Sequence, residues 1–88
     1  MRTDEALEAL TYGHAIWRPG YARKVCDALG VPFDQRLVHY GAVAGFQLAY
    51  HVAKELGVAG DAQVFVSRGR QAVEYARVVR QRLDSRSV

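Results

Sequence analysis

In this chain of 88 residues the side chains able to act as a nucleophile or a transition-metal ligand are one cysteine, Cys26, and three histidines, His14, His39 and His51. A single cysteine excludes an internal disulfide and any zinc site of the Cys₂His₂ or Cys₄ kind. His39 and His51 are twelve residues apart, about 120° around an ideal helix, so they do not share a face. His14 falls in a different segment, and imidazoles satisfied by their neighbours are the expectation for His39 and His51. Arg23 and Lys24 lie close to Cys26 in sequence, and a nearby cation lowers a thiol pKa. Nucleophilic catalysis also needs a base held against the thiol, and no histidine is fixed there. Cys26 therefore reads as a small core residue. No two carboxylates have the spacing of an acid–base dyad. Ser67-Arg68-Gly69-Arg70, ahead of a helix, is the one short stretch suited to holding an anion on backbone amides and guanidinium groups. The expectation is a protein with no enzymatic activity, no metal and no cofactor.

The chemistry that remains is that of arginine. Residues 1–66 carry six basic and seven acidic side chains, whereas residues 67–88 carry Arg68, Arg70, Arg77, Arg80, Arg82 and Arg86 against Glu74 and Asp84. The whole net charge of +3 thus comes from the last quarter of the chain. A planar guanidinium fork suits phosphate or carboxylate better than the point charge of lysine does. Cations near a helix C-terminus also complement the helix dipole, and a solvated face needs charge in any case. Arg68, Arg70, Arg77, Arg80 and Arg82 are the candidate contacts to an acidic protein partner, with Tyr12, Trp17 and Tyr21 as aromatic anchors. The alternative is a small DNA- or RNA-binding regulator in which the same arginines meet phosphates.

Two family resemblances stop short of the functional residues. Phe65 and Gln71-Ala72-Val73-Glu74-Tyr75 resemble the last helix of acyl carrier proteins. That family attaches phosphopantetheine to the serine of an Asp-Ser-Leu, and here Ser67, Ser85 and Ser87 have no such setting. Ala28-Leu29-Gly30-Val31-Pro32 resembles the turn of a helix-turn-helix. Arg36 stands where that motif wants an apolar residue, and Leu37 follows one place late.

Four helices must position these residues. Thr3-Asp4-Glu5 is a helix start, and Leu7, Leu10, His14 and Trp17 follow on one face, with Pro19 as the stop. A second helix from about Pro19 to Leu29 turns Ala22, Val25 and Leu29 inward and closes at Gly30, with Val31 as the contact beyond the stop and Asp34 placed to cap the next helix. The third, about Phe33 to Leu56, carries no formal charge between Leu37 and Ala53 and so reads as apolar nearly all round. That run falls short of the ~20 residues a membrane span needs and contains two histidines and a glutamine. Gly41, Gly45, Ala49 and Ala53 form a small-residue ridge along it, suited to a close helix–helix interface within the chain or with a second copy. Ala22, Val25, Leu29, Gly30, Val31 and Asp34 recur as Ala49, Val52, Leu56, Gly57, Val58 and Asp61 at a constant offset. The fourth helix begins after Ser67, or at Asp61 if Val64-Phe65-Val66 is not extended. Ala72, Ala76, Val79 and Leu83 form its apolar stripe.

The resulting expectation is an all-α protein, a small four-helix bundle with a central apolar third helix. It comprises a single helical domain over residues 1–83 and a frayed tail at 84–88. With nothing resembling a secretory leader and no membrane span, the expected setting is the cytoplasm. A third helix so apolar in so short a chain predicts a homodimer. The expected function is that of a non-enzymatic interaction module that binds itself and a further protein partner.

Overall fold

The computed structural model describes residues 1–16, 20–34, 44–63 and 68–86, and side chains within 1–11, 20–34, 47–63 and 70–85. The protein is all-α. Its helices are α1 (Thr3–Ile16), α2 (Tyr21–Leu29), α3 (Ala44–Glu55) and α4 (Arg68–Arg86), with a 3₁₀ turn at Ala59–Asp61. Among the described residues there is no strand. Val64-Phe65-Val66 lies outside them.

The helix stops follow from local chemistry. Gly30 and Gly57 adopt φ of 72° and 75°, a left-handed conformation that side chains with a Cβ disfavour. At each stop the glycine amide and the following valine amide cap the last open carbonyls. Gly30 N–H donates to Asp27 O and Val31 N–H to Cys26 O, while Gly57 N–H donates to Lys54 O and Val58 N–H to Ala53 O. Val31 and Val58 are both buried, so the sequence repeat corresponds to a repeated helix-closing structure.

α1 begins one residue earlier than a capping Thr3 requires. Thr3 is already helical and Ala6 N–H bonds Arg2 O, while Asp4 and Glu5 occupy the first turn, where the dipole favours them. α4 runs to Arg86, beyond the expected end at Leu83.

The expected third helix is present over Ala44–Glu55, and the part expected over residues 35–43 lies outside the described residues. Phe33 and Asp34 are not helical, and the described helix starts at Ala44. His51 Nε2–H donates to the Pro32 carbonyl at 2.7 Å, which ties the segment after α2 to α3. Arg23 sits over the Phe33 ring at 5.9 Å, a cation–π contact that holds the segment across the end of α2. The second helix of the helix-turn-helix resemblance falls on residues outside the described ones. α3 also has an outer face, since Tyr50, Lys54 and Glu55 are exposed and Gln47 and His51 half-buried. The central position is shared, because α1 and α3 each pack against all three other helices.

The core is built from small side chains. Leu10, Leu48, Val25, Val52, Val78, Val79 and Cys26 are its largest fully enclosed members, interleaved with buried alanines on every helix. Alanines let helix axes approach closely. Gln71 is the exception: it is buried, and among the described residues its Nε2 has no hydrogen-bond partner. An unpaired buried amide costs free energy that an apolar side chain of similar volume does not. Gln71→Leu is therefore expected to raise stability by roughly 1 kcal/mol, read as a higher urea midpoint at unchanged slope.

Candidate docking face

α4 places its arginines by helical register. Arg70, Arg77, Arg80 and Arg82 are all exposed. At ~100° per residue Arg70, Arg77 and Arg80 fall within an arc of roughly 80°, whereas Arg82 lies about 120° from Arg70. The first three form one cationic row and Arg82 stands apart. Arg68 opens the helix, and its side chain lies outside the described ones. Dipole complementation does not account for the row. Arg70 sits near the N-terminal end of α4, where no acidic residue occupies the first turn and a cation is disfavoured. Arg77 and Arg80 are mid-helix.

Among the described residues, neither Arg70 nor Arg80 nor Arg82 has a carboxylate partner. Arg77 does: its Nη2 and Nε donate to Glu74 Oε2 at 3.0 and 3.3 Å. The same oxygen accepts the Gln63 backbone N–H at 3.3 Å. The Arg77 hydrogen bonds, then the Gln63 amide, hold the Glu74 carboxyl below the usual glutamate range. A folded-state pKa below the unfolded value contributes stability that is present above the unfolded pKa and is lost as pH falls through the folded one. At neutral pH this carboxylate fixes Arg77 and tethers the segment after the 3₁₀ turn to α4.

Beside the row runs a shallow groove of about 200 Å³ between α1 and α4, lined by Leu7, Thr11, Val73, Ala76, Arg77 and Arg80. Val73 is 46% exposed in the middle of the arginine row. The Thr11 hydroxyl donates to Leu7 O at 3.2 Å, so its donor is used within α1 and the floor of the groove makes little polar demand. A space this small and open is below the usual size of a small-molecule site. It suits side chains of a partner surface. The groove was not foreseen from sequence because its other wall, Leu7 and Thr11, comes from the far end of the chain. Val73, apolar between Arg70 and Arg77 on the polar side of α4, was the one signal available.

The remaining candidates are placed as follows. Ala49 and Ala53 have no exposed surface, so the described half of the small-residue ridge is a helix–helix interface within the chain. Gly45 lies in the first turn of α3, and Gly41 is outside the described residues. Tyr21 is half-buried against the core, whereas the Tyr12 and Trp17 side chains are outside the described ones. Cys26 is buried. Burial first, then the Asp27 and Glu55 charges, push its thiol up to about 11, the opposite of the activation that Arg23 and Lys24 suggest. His51 is satisfied by the Pro32 carbonyl; the side chains of His14 and His39 are not among those described. Among the described residues no three His, Cys, Asp or Glu side chains are grouped to hold a metal ion, and no helix is long and apolar enough to cross a membrane. In comparison with known proteins, the chain matches no family model, no curated protein and no solved structure.

Proposed function

We propose that this protein is a non-enzymatic helical interaction module. Its docking face is the Arg70–Arg77–Arg80 row with the adjoining α1–α4 groove, its partner is an acidic protein surface, and it also self-associates. The observation that carries this reading is the exposed Val73 and apolar groove within the arginine row. Protein interfaces combine an apolar centre with a charged rim, and arginine is enriched in them. Phosphate contacts need no apolar centre.

The nucleic-acid reading rests on the same exposed arginines, three of which lack a carboxylate partner among the described residues. The two readings separate at Val73. Val73→Asn removes the apolar centre and leaves every arginine in place. It is expected to weaken binding of a labelled glutamate–leucine helical peptide by roughly tenfold, the scale of one lost interface anchor. Affinity for a random-sequence DNA duplex is expected to stay unchanged. Equal losses for both probes, or none for the peptide, would count against a protein-docking groove.

A further inference from the structure

The two lips of the groove carry opposite charge. On the α4 side stand Arg77 and Arg80, which line it. Among the described residues on the α1 side, Asp4, Glu5 and Glu8 are exposed, with Arg2 just ahead of the helix, and the three carboxylates fall within an arc of about 100° that begins next to Leu7 and Thr11. The helix dipole accounts for Asp4 and Glu5 in the first turn. It does not account for Glu8, one turn further on, which like Arg80 has no charged partner among the described residues. Among the described residues Asp4 has only Arg2, at 4.0 Å and largely exposed.

A groove with one acidic and one basic lip complements itself. Resting on the proposal that this face is a docking surface, we infer that its occupant is a second copy of this chain. In that dimer, related by a two-fold axis running along the groove, the acidic lip of α1 on each copy covers the basic lip of α4 on the other. The register follows from the groove. Leu7 and Thr11 bracket Glu8 in sequence and line the same groove as Val73, Arg77 and Arg80, so Glu8 is level with those arginines. Rotation about an axis along the groove leaves heights unchanged and exchanges the lips. Glu8 of the partner subunit therefore meets Arg77 and Arg80, and the contact repeats on the other side, as a two-fold interface requires. Val73, within the arginine row, is covered by the same contact.

The surface is adequate in size. A stable dimer covers about 800 Å² on each partner, roughly a seventh of the 5660 Å² that this chain exposes. Two adjacent helices 14 and 19 residues long, each ~10 Å across, offer a footprint of that order. A nucleic-acid duplex is wider than one helix, and its phosphates would meet Asp4 and Glu8 as well as the arginines. A partner bearing both signs suits the face better.

The test is sedimentation equilibrium of the full chain as wild type, Glu8→Arg, Arg80→Glu, and an equimolar mixture of the two variants. Wild type is expected to dimerise, more weakly as salt rises. Each variant alone sets like charges against each other at positions 8 and 80, twice over, with Arg77 held by Glu74 in every case, and should lose roughly tenfold or more in dimer affinity. Both positions are exposed, so circular dichroism melts should stay close to wild type. The mixture should recover the dimer, because the contacts between positions 8 and 80 of the two variants are again opposite in sign on both sides, and Arg77 is held by Glu74 in each. Three results overturn the inference: a wild type monomeric at every concentration, single variants that dimerise like wild type, or a mixture that stays monomeric. In any of these cases the peptide titration with Val73→Asn still decides separately whether the face docks an acidic protein surface.

Discussion

Leu10→Ala is expected to cost about 2–5 kcal/mol of folding stability, the range for emptying a leucine site that cannot collapse. Leu10 has no exposed surface and lies on α1, which packs against all three other helices. The cavity is therefore bounded by several elements that would have to shift together to fill it. An 88-residue domain has about 4–13 kcal/mol to lose. The substitution removes a large share of that, with a fall in melting temperature of roughly 10–30 °C. Val73→Ala, on the solvent side of α4, serves as the control and should stay within about 0.5 kcal/mol. Thermal melts followed by circular dichroism decide the matter. A Leu10→Ala melt within a few degrees of wild type would mean that α1 does not complete the core.

The second large effect is on binding. Arg77→Glu with Arg80→Glu reverses both charges on the basic lip of the groove and leaves Arg70 and Arg82 in place. Affinity for the glutamate–leucine peptide should fall roughly 10–100-fold, the reversal acting through like-charge juxtaposition as well as lost attraction. Arg77 is held by Glu74, so its replacement also breaks that ion pair within α4. Single reversal of Arg80, which has no such tie, therefore gives the cleaner measure of charge alone. Arg82→Glu, on a different side of α4, should change peptide binding little. If Arg82→Glu matters as much as the double reversal, the partner reads total charge rather than the row.

The parts of the fold that were legible in sequence are those governed by chemistry within a few residues. Gly30 and Gly57 end helices because a left-handed residue is needed there, and each is followed by a valine that buries itself. The concentration of arginine after Ser67 was equally plain, and Ala72, Ala76 and Val79 face inward as their spacing indicates. What could not be read depends on distant contacts. The bond from His51 back to the Pro32 carbonyl joins residues nineteen apart, and no local pattern announces it. The small-residue ridge gave no indication of its partner, and Ala49 and Ala53 turned out to be enclosed by the chain's own helices. Of the five candidate arginines, Arg70, Arg77 and Arg80 form a row by register, Arg82 stands apart from it, and the Arg68 side chain lies outside the described ones. Their groove exists only because α1 packs alongside α4.

One measurement decides what the arginine row meets: fluorescence anisotropy of two labelled probes, the glutamate–leucine peptide and a random-sequence duplex, titrated with wild-type protein at low and near-physiological salt. The peptide is expected to bind at both salt concentrations, because part of its affinity comes from leucines seated in the groove. The duplex is expected to bind weakly at low salt and to be lost steeply as salt rises. Tight duplex binding with no binding of the peptide would contradict the docking face and make the arginine row a phosphate-binding surface.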